Sequence, residues 1–130
     1  MTNRPDLPRG HKKFLLPVFE RKTLSVTAID VKALSSYTDT IVIVEGNSNR
    51  QVASIAEHLI KKLKTQKINA IGVEGINEGE WALLDYGDII IHIFDTFKKS
   101  LYDIEGFWAD APRYDLSEFG SLPSMEAEDD

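Results

Sequence analysis

At 130 residues, 42% hydrophobic and 28% charged, the chain has the composition of one globular domain with a single core. It has no cysteine, which excludes disulfides and thiolate metal sites and makes the cytosol the expected compartment. Net charge is −6 but uneven: residues 1–25 hold six basic side chains against Asp6 and Glu20, a local +4 that leaves −10 for the remainder. Such a body repels a duplex, so direct RNA contact is expected to be minor or absent, with the basic arm a solvated tail.

In chain order, residues 1–13 mix Pro5, Pro8 and Gly10 with charge and are expected to be poorly ordered; they carry no apolar signal segment. FLLPVFERK at 14–22 suggests a short helix from Pro17, since proline suits a first turn. Residues 24–30 alternate and read as a strand. Thr40–Val44 is a β-branched run that suits a central strand buried on both faces. Ser48 and Gln51 form a capping-box pattern at the entry to a helix over about 48–65. Val52, Ile55, Ala56, Leu59 and Leu63 recur there at helical spacing. Residues 70–74 form a short strand, followed by a loop over 75–79. After the ribbon described next, a helix is expected from Asp95 or Thr96 to about Glu105. Gly106 would then be its left-handed C-terminal residue, with Phe107 and Trp108 packing back. Pro112 is expected to end the ordered structure. The expected organisation is a partly ordered basic arm over 1–23, a domain over 24–112 and an unfolded acidic tail over 113–130. No run of roughly 18 apolar residues offers a membrane span, so no membrane partner is expected.

Residues 81–94, WALLDYGDIIIHIF, organise the rest. They read as two strands, Trp81–Leu84 and Ile89–Phe94, joined by a turn in which Gly87 supplies a positive φ and Asp85 bonds back. If the loop is Tyr86-Gly87, Trp81 stands opposite His92. One face of this ribbon, with Ala82, Leu84, Ile89, Ile91 and Ile93, is wholly aliphatic and must be core. The other carries Trp81, Leu83, Ile90, His92 and Phe94, with Asp85 and Asp88 at its rim. Function is sought there, although Trp81 and His92 also read as ordinary half-buried residues.

Visible chemical machinery is sparse. Gly46-Asn47-Ser48 before a capped helix is a weak phosphate-binding candidate, because a helix N-terminus offers free N–H groups. Its spacing is not that of a P-loop, and such a turn is also how a strand joins a helix. Asp85 and Asp88 would offer oxygen ligands to Mg²⁺, but no third carboxylate converges in sequence. The three histidines, His11, His58 and His92, show no zinc spacing, and His58 beside Glu57 reads as solvated. No catalytic residue, metal or cofactor is expected. The aromatic side chains Trp81, Phe94, Tyr102, Phe107 and Trp108 favour a binding module, against an aromatic-rich core.

The ordered strings DTIVIVEGNSNRQVASIAEHLIKKL, GVEG, WALLDYGDIIIHIF and LYDIEGFW resemble the ribosomal silencing factor family (RsfS, also called Iojap) over about residues 26–110. The matching positions include Asp39, Gly46, Ser48, Arg50, Glu74, Gly75, Trp81, Asp85, Gly87, Asp88, His92, Tyr102, Glu105 and Trp108. The resemblance implies a single α/β domain, a five-stranded mixed sheet with flanking helices, similar to the nucleotidyltransferase fold but without implied catalysis. It implies binding to the large ribosomal subunit through the ribosomal protein numbered fourteen at its intersubunit face, where the bound domain obstructs the small subunit. A homodimer is expected when the protein is unbound. Trp81, Asp85, Asp88, His92, Tyr102 and Glu105 are expected to form or support the partner surface. The alternative is a small nucleotide-binding or nucleotidyl-transferring enzyme using Gly46-Asn47-Ser48 with Asp85 and Asp88.

Overall fold

A computed structural model describes residues 4–76 and 80–120; the end of the 75–79 loop and residues 121–130 of the acidic tail lie outside them. The strands are β1 (Ser25–Asp30), β2 (Thr40–Gly46), β3 (Gly72–Glu74), β4 (Trp81–Asp85) and β5 (Ile89–Asp95). They form one mixed sheet in the order β1-β2-β5-β4-β3, in which only β2 and β5 run parallel. The β-branched run sits where its pattern requires. Thr40 to Val44 are buried because β2 has a strand on each side and packed side chains on each face.

On one face lie α1 (Lys12–Phe19) and α2 (Asn49–Thr65). Ser48 Oγ accepts the Gln51 amide at 3.1 Å, fixing the start of α2, and Val52, Ile55, Ala56, Leu59 and Leu63 are all fully buried. They meet Ala28, Val42, Val44, Ala82, Leu84, Ile89, Ile91 and Ile93 in the main core. The helix ends in a Schellman motif: the Ile68 amide donates to Leu63 O at 3.0 Å and the Lys67 amide to Lys64 O at 2.9 Å. Lys67 therefore takes the left-handed position, φ +64°, that glycine usually fills.

Four expectations are corrected. The helix α1 begins at Lys12, after a 3-10 turn over Arg9–His11, so Pro17 lies inside it. The missing proline N–H is outweighed by packing, since Leu15 and Val18 are wholly buried and Phe14 nearly so. The arm before it is not loose: Leu7 is buried and His11 Nδ1 lies 2.9 Å from Thr40 Oγ1. Nor does Pro112 end the structure. Asp30 N donates to Pro112 O and Tyr114 N to Ala28 O, both at 2.9 Å, so this segment covers the outer edge of β1 and buries Tyr114. His58 is not merely solvated, since its Nε2 lies 2.7 Å from Glu20 Oε1 and ties α2 to α1.

The expected helix after the ribbon is two helices, α3 (Thr96–Tyr102) and α4 (Ile104–Phe107). Asp103 between them is left-handed, φ 46°, and its carboxylate accepts the Gly106 amide at 3.1 Å. Gly106 is thus inside α4. A Cβ there would run into the Asp103 carboxylate, so a side chain at this position would force the cap to shift. Among the described residues, no helix is long and apolar enough to cross a membrane.

Candidate functional site

The 81–94 ribbon has the two faces expected, but not the expected register. Trp81 pairs with Phe94, Ala82 with Ile93, Leu83 with His92, Leu84 with Ile91 and Asp85 with Ile90. Tyr86 N donates to Ile89 O, so the two-residue loop is Gly87-Asp88 rather than Tyr86-Gly87. The shift against the expected pairing is two residues, and side chains alternate with period two, so every residue keeps its face. Gly87 carries the positive φ, +89°, and Asp85 Oδ1 accepts its amide at 2.8 Å.

On the non-aliphatic face, the ring of Trp81 lies 5.1 Å from that of Phe94, directly across the ladder. Tyr102, reaching in from α3, lies 4.7 Å from the indole. His92 is diagonal to Trp81, and Trp81 Nε1 donates to His92 Nδ1 at 3.1 Å. An indole N–H is only a donor, so Nδ1 must accept and the imidazole proton sits on Nε2. Burial lowers the His92 pKa to about 4, which keeps the ring neutral at pH 7 and preserves that bond. Trp81, His92 and Tyr102 are therefore brought together, with Phe94 beneath them as the floor, 1% exposed.

The carboxylates are not gathered there. Asp85 and Asp88 belong to the turn at the far end of the ribbon, where Asp85 bonds Gly87 and the Asp88 carbonyl accepts the Asp39 and Thr40 amides. Glu105 lies on the side of β1, accepting from Thr27 Oγ1 at 3.3 Å and pairing with Lys99 at 3.2 Å. Glu45, which the sequence did not single out, accepts from Ser25 at 2.9 Å and Thr96 at 2.7 Å. With Lys99, these two glutamates line a groove of about 420 Å³ beneath α3 and α4, and their bonds brace the helices onto the sheet. Gly46-Asn47-Ser48 forms a self-capped turn: the Asn47 amide is held by Gln51 Oε1 at 2.8 Å, and Ser48 holds Gln51 N. Two polar groups that a phosphate would meet are thus engaged. Among the described residues, no group of three or more His, Asp or Glu side chains is placed to hold a metal ion.

One feature of the surface was not legible in the sequence. The helix α3 buries none of its side chains. Phe97 is 69% exposed, Leu101 58%, Tyr102 47% and Phe107 77%, all within the α3–α4 segment. Phe107 does not pack back as expected. Only Trp108 does, against the second cluster of Ile29, Val31, Ile41, Ile43, Phe94 and Ala111. The helical period of Phe97 and Leu101, four apart, would have suggested a face, but not that the face points away from the sheet.

The family model described as ribosomal silencing factor during starvation matches residues 8–130. Ribosomal silencing factor RsfS of Halalkalibacterium halodurans is 35% identical over 99 residues, which is 76% of this chain and 85% of that protein. The Bacillus subtilis protein of the same name is 34% identical over 101 residues, 78% of this chain and 85% of its own. A crystal structure of a Chromobacterium violaceum protein superposes with a TM-score of 0.73 at 30% identity, covering 87% of this chain and 86% of that one. With the sheet order, the capped α2 and the Trp81–His92 pair in place, these matches give one conclusion: the chain belongs to the ribosomal silencing factor family.

Proposed function

We propose that this protein represses translation by docking the α3–α4 surface, floored by Trp81 and Phe94, onto a protein at the intersubunit face of the large ribosomal subunit, the one numbered fourteen. The observation that carries this reading is the exposure of Phe97, Leu101, Tyr102 and Phe107 on two short helices braced from below by Glu45, Lys99 and Glu105. Apolar side chains crowded on one exposed segment have the composition of an interface core. Trp81 and His92 support this surface from beneath rather than forming its outer layer. Asp85 and Asp88 lie farther along the ribbon, where they act on association rate and salt dependence. The acidic remainder of the chain suits a basic ribosomal protein. A rigid domain held there occupies the volume the small subunit needs, so no covalent chemistry is required. In the unbound protein the same apolar surface is covered by a second copy, as a homodimer.

The test is co-sedimentation with separated ribosomal subunits. The protein is expected with the large subunit, and its addition should lower the yield of joined particles. Binding should fall about thirtyfold for Tyr102→Ala, with the melting temperature nearly unchanged. Equal binding to both subunits, or undiminished binding by Phe97→Ala, Leu101→Ala and Tyr102→Ala together, would show that the partner surface lies elsewhere.

A further inference from the structure

The fold segregates charge that looks diluted in the sequence. Residues 4–22 carry six basic side chains against two acidic, and residues 49–67 carry five against one. Both segments belong to the layer on one face of the sheet, where α1 lies along α2 through Arg21–Ser54 and Glu20–His58 contacts. These two segments together net +8 in a chain of −6, and the acidic residues that pack beside them, Asp115 and Glu118, lie at the α1 end, where Glu118 pairs with Lys12 at 3.1 Å. The basic charge is densest at the last turn of α2 and the residues after it. Lys61, Lys62, Lys64 and Lys67 are all exposed, and no acidic residue occurs between Glu57 and Glu74.

The ordinary explanation for lysines at a helix C-terminus is that they bond its last carbonyls or complement its dipole. Here the Leu63 and Lys64 carbonyls already accept the amides of Ile68 and Lys67. More telling is Lys67 itself. It occupies a left-handed position, φ +64°, at which glycine or asparagine would be the less strained choice. A strained lysine beside three exposed ones is better explained by a use for its charge than by capping.

We infer that the C-terminal end of α2, through Lys61, Lys62, Lys64 and Lys67, binds the phosphate backbone of RNA. This rests on the docking reading above only for its setting: the basic layer lies on the face of the sheet opposite the aromatic one, so a domain that holds a protein by its aromatic face keeps these lysines free to meet RNA. The contact is local and independent of sequence, which reconciles it with an acidic chain. Each phosphate neutralised adds about 0.9 to the slope of log affinity against log salt on a duplex.

The experiment titrates the full chain and the variant Lys61→Gln/Lys64→Gln/Lys67→Gln against a labelled RNA duplex of about 20 base pairs, from about 50 to about 200 mM salt. Phosphatidylglycerol vesicles form a second arm. The expected result is duplex binding whose salt slope falls by about 3 in the triple variant. Vesicle binding should be weaker and should not depend on these lysines. Lys67→Gly is expected to hold or raise the melting temperature while lowering the slope by about 1, which a capping role would not do. Absence of duplex binding at the lowest salt, an unchanged slope in the variants, or equal lysine-dependent binding to vesicles would overturn the inference. Tyr102→Ala should bind the duplex normally. If it also kept its affinity for the large subunit, the docking reading would fall while the RNA result stood.

Discussion

The two helical coverings of this sheet differ in kind. On one face, α2 runs for 17 residues, is capped at both ends and buries five apolar side chains completely. On the other, α3 and α4 span seven and four residues, are interrupted at a left-handed Asp103 and bury no side chain of their own. The first covering is held by hydrophobic burial. The second is tied down by polar bonds, from Glu45 to Thr96, from Glu105 to Thr27 and from Arg113 to the Glu105 carbonyl at 2.8 Å. Such bonds fix orientation, with Ile104 packed against the second cluster, while Phe97, Leu101 and Phe107 are left exposed. The most buried helix and the most exposed apolar side chains thus lie on opposite sides of one sheet, which allows core packing and the proposed protein docking to be altered separately.

The sharpest way to break that division is to cut each side once. Leu59→Ala on α2 removes a fully buried side chain and should cost about 2–5 kcal/mol in chemical denaturation, with binding retained by the fraction that remains folded. Tyr102→Ala should do the reverse, costing about 2 kcal/mol or more in subunit binding and little in stability. A comparable loss of stability in both variants would mean that the aromatic cluster is core after all.

His92 sharpens the comparison through pH. Its folded pKa, about 4, lies below the usual 6.5, so the unfolded chain takes up a proton that the folded one refuses. The stability this group contributes is therefore complete above pH 6.5 and is lost as pH falls towards 4. Between pH 7 and pH 5 the loss should be about 2 kcal/mol, and His92→Gln should show that much less pH dependence in urea melts. The smallest expected effect is Ser48→Ala, about 1 kcal/mol from the α2 cap. Subunit binding should not change, because the Ser48 side chain is engaged with the Gln51 amide of α2 rather than with α3 or α4, even though Gly46 itself pairs with Asp95.

Much of this architecture follows from local pattern. The spacing of Val52, Ile55, Ala56, Leu59 and Leu63 is a helix wherever an apolar surface exists to receive it. The runs at 40–44 and 89–94 have few alternatives to a buried sheet. Even the misjudged ribbon register did no harm to the faces, because a slip of two residues preserves them. The shared face of Trp81 and His92 was legible for the same reason, whereas Tyr102 was grouped with them only through the family motif, and Asp85, Asp88 and Glu105 are not brought to them. What the tertiary structure alone decided depends on contacts distant in sequence. Pro17 is accepted within α1 because Leu15 and Val18 gain a core to fill. Residues 112–114 are ordered because β1 has an open edge to satisfy. The segment after Asp95 breaks at Asp103 rather than continuing, because the Asp103 carboxylate caps a second helix, a local signal that an aspartate on a continuous exposed helix would present equally. Lastly, the basic character of the helical layer arises when residues 4–22 fold beside 49–67, and a sum of charges along the chain does not contain that neighbourhood.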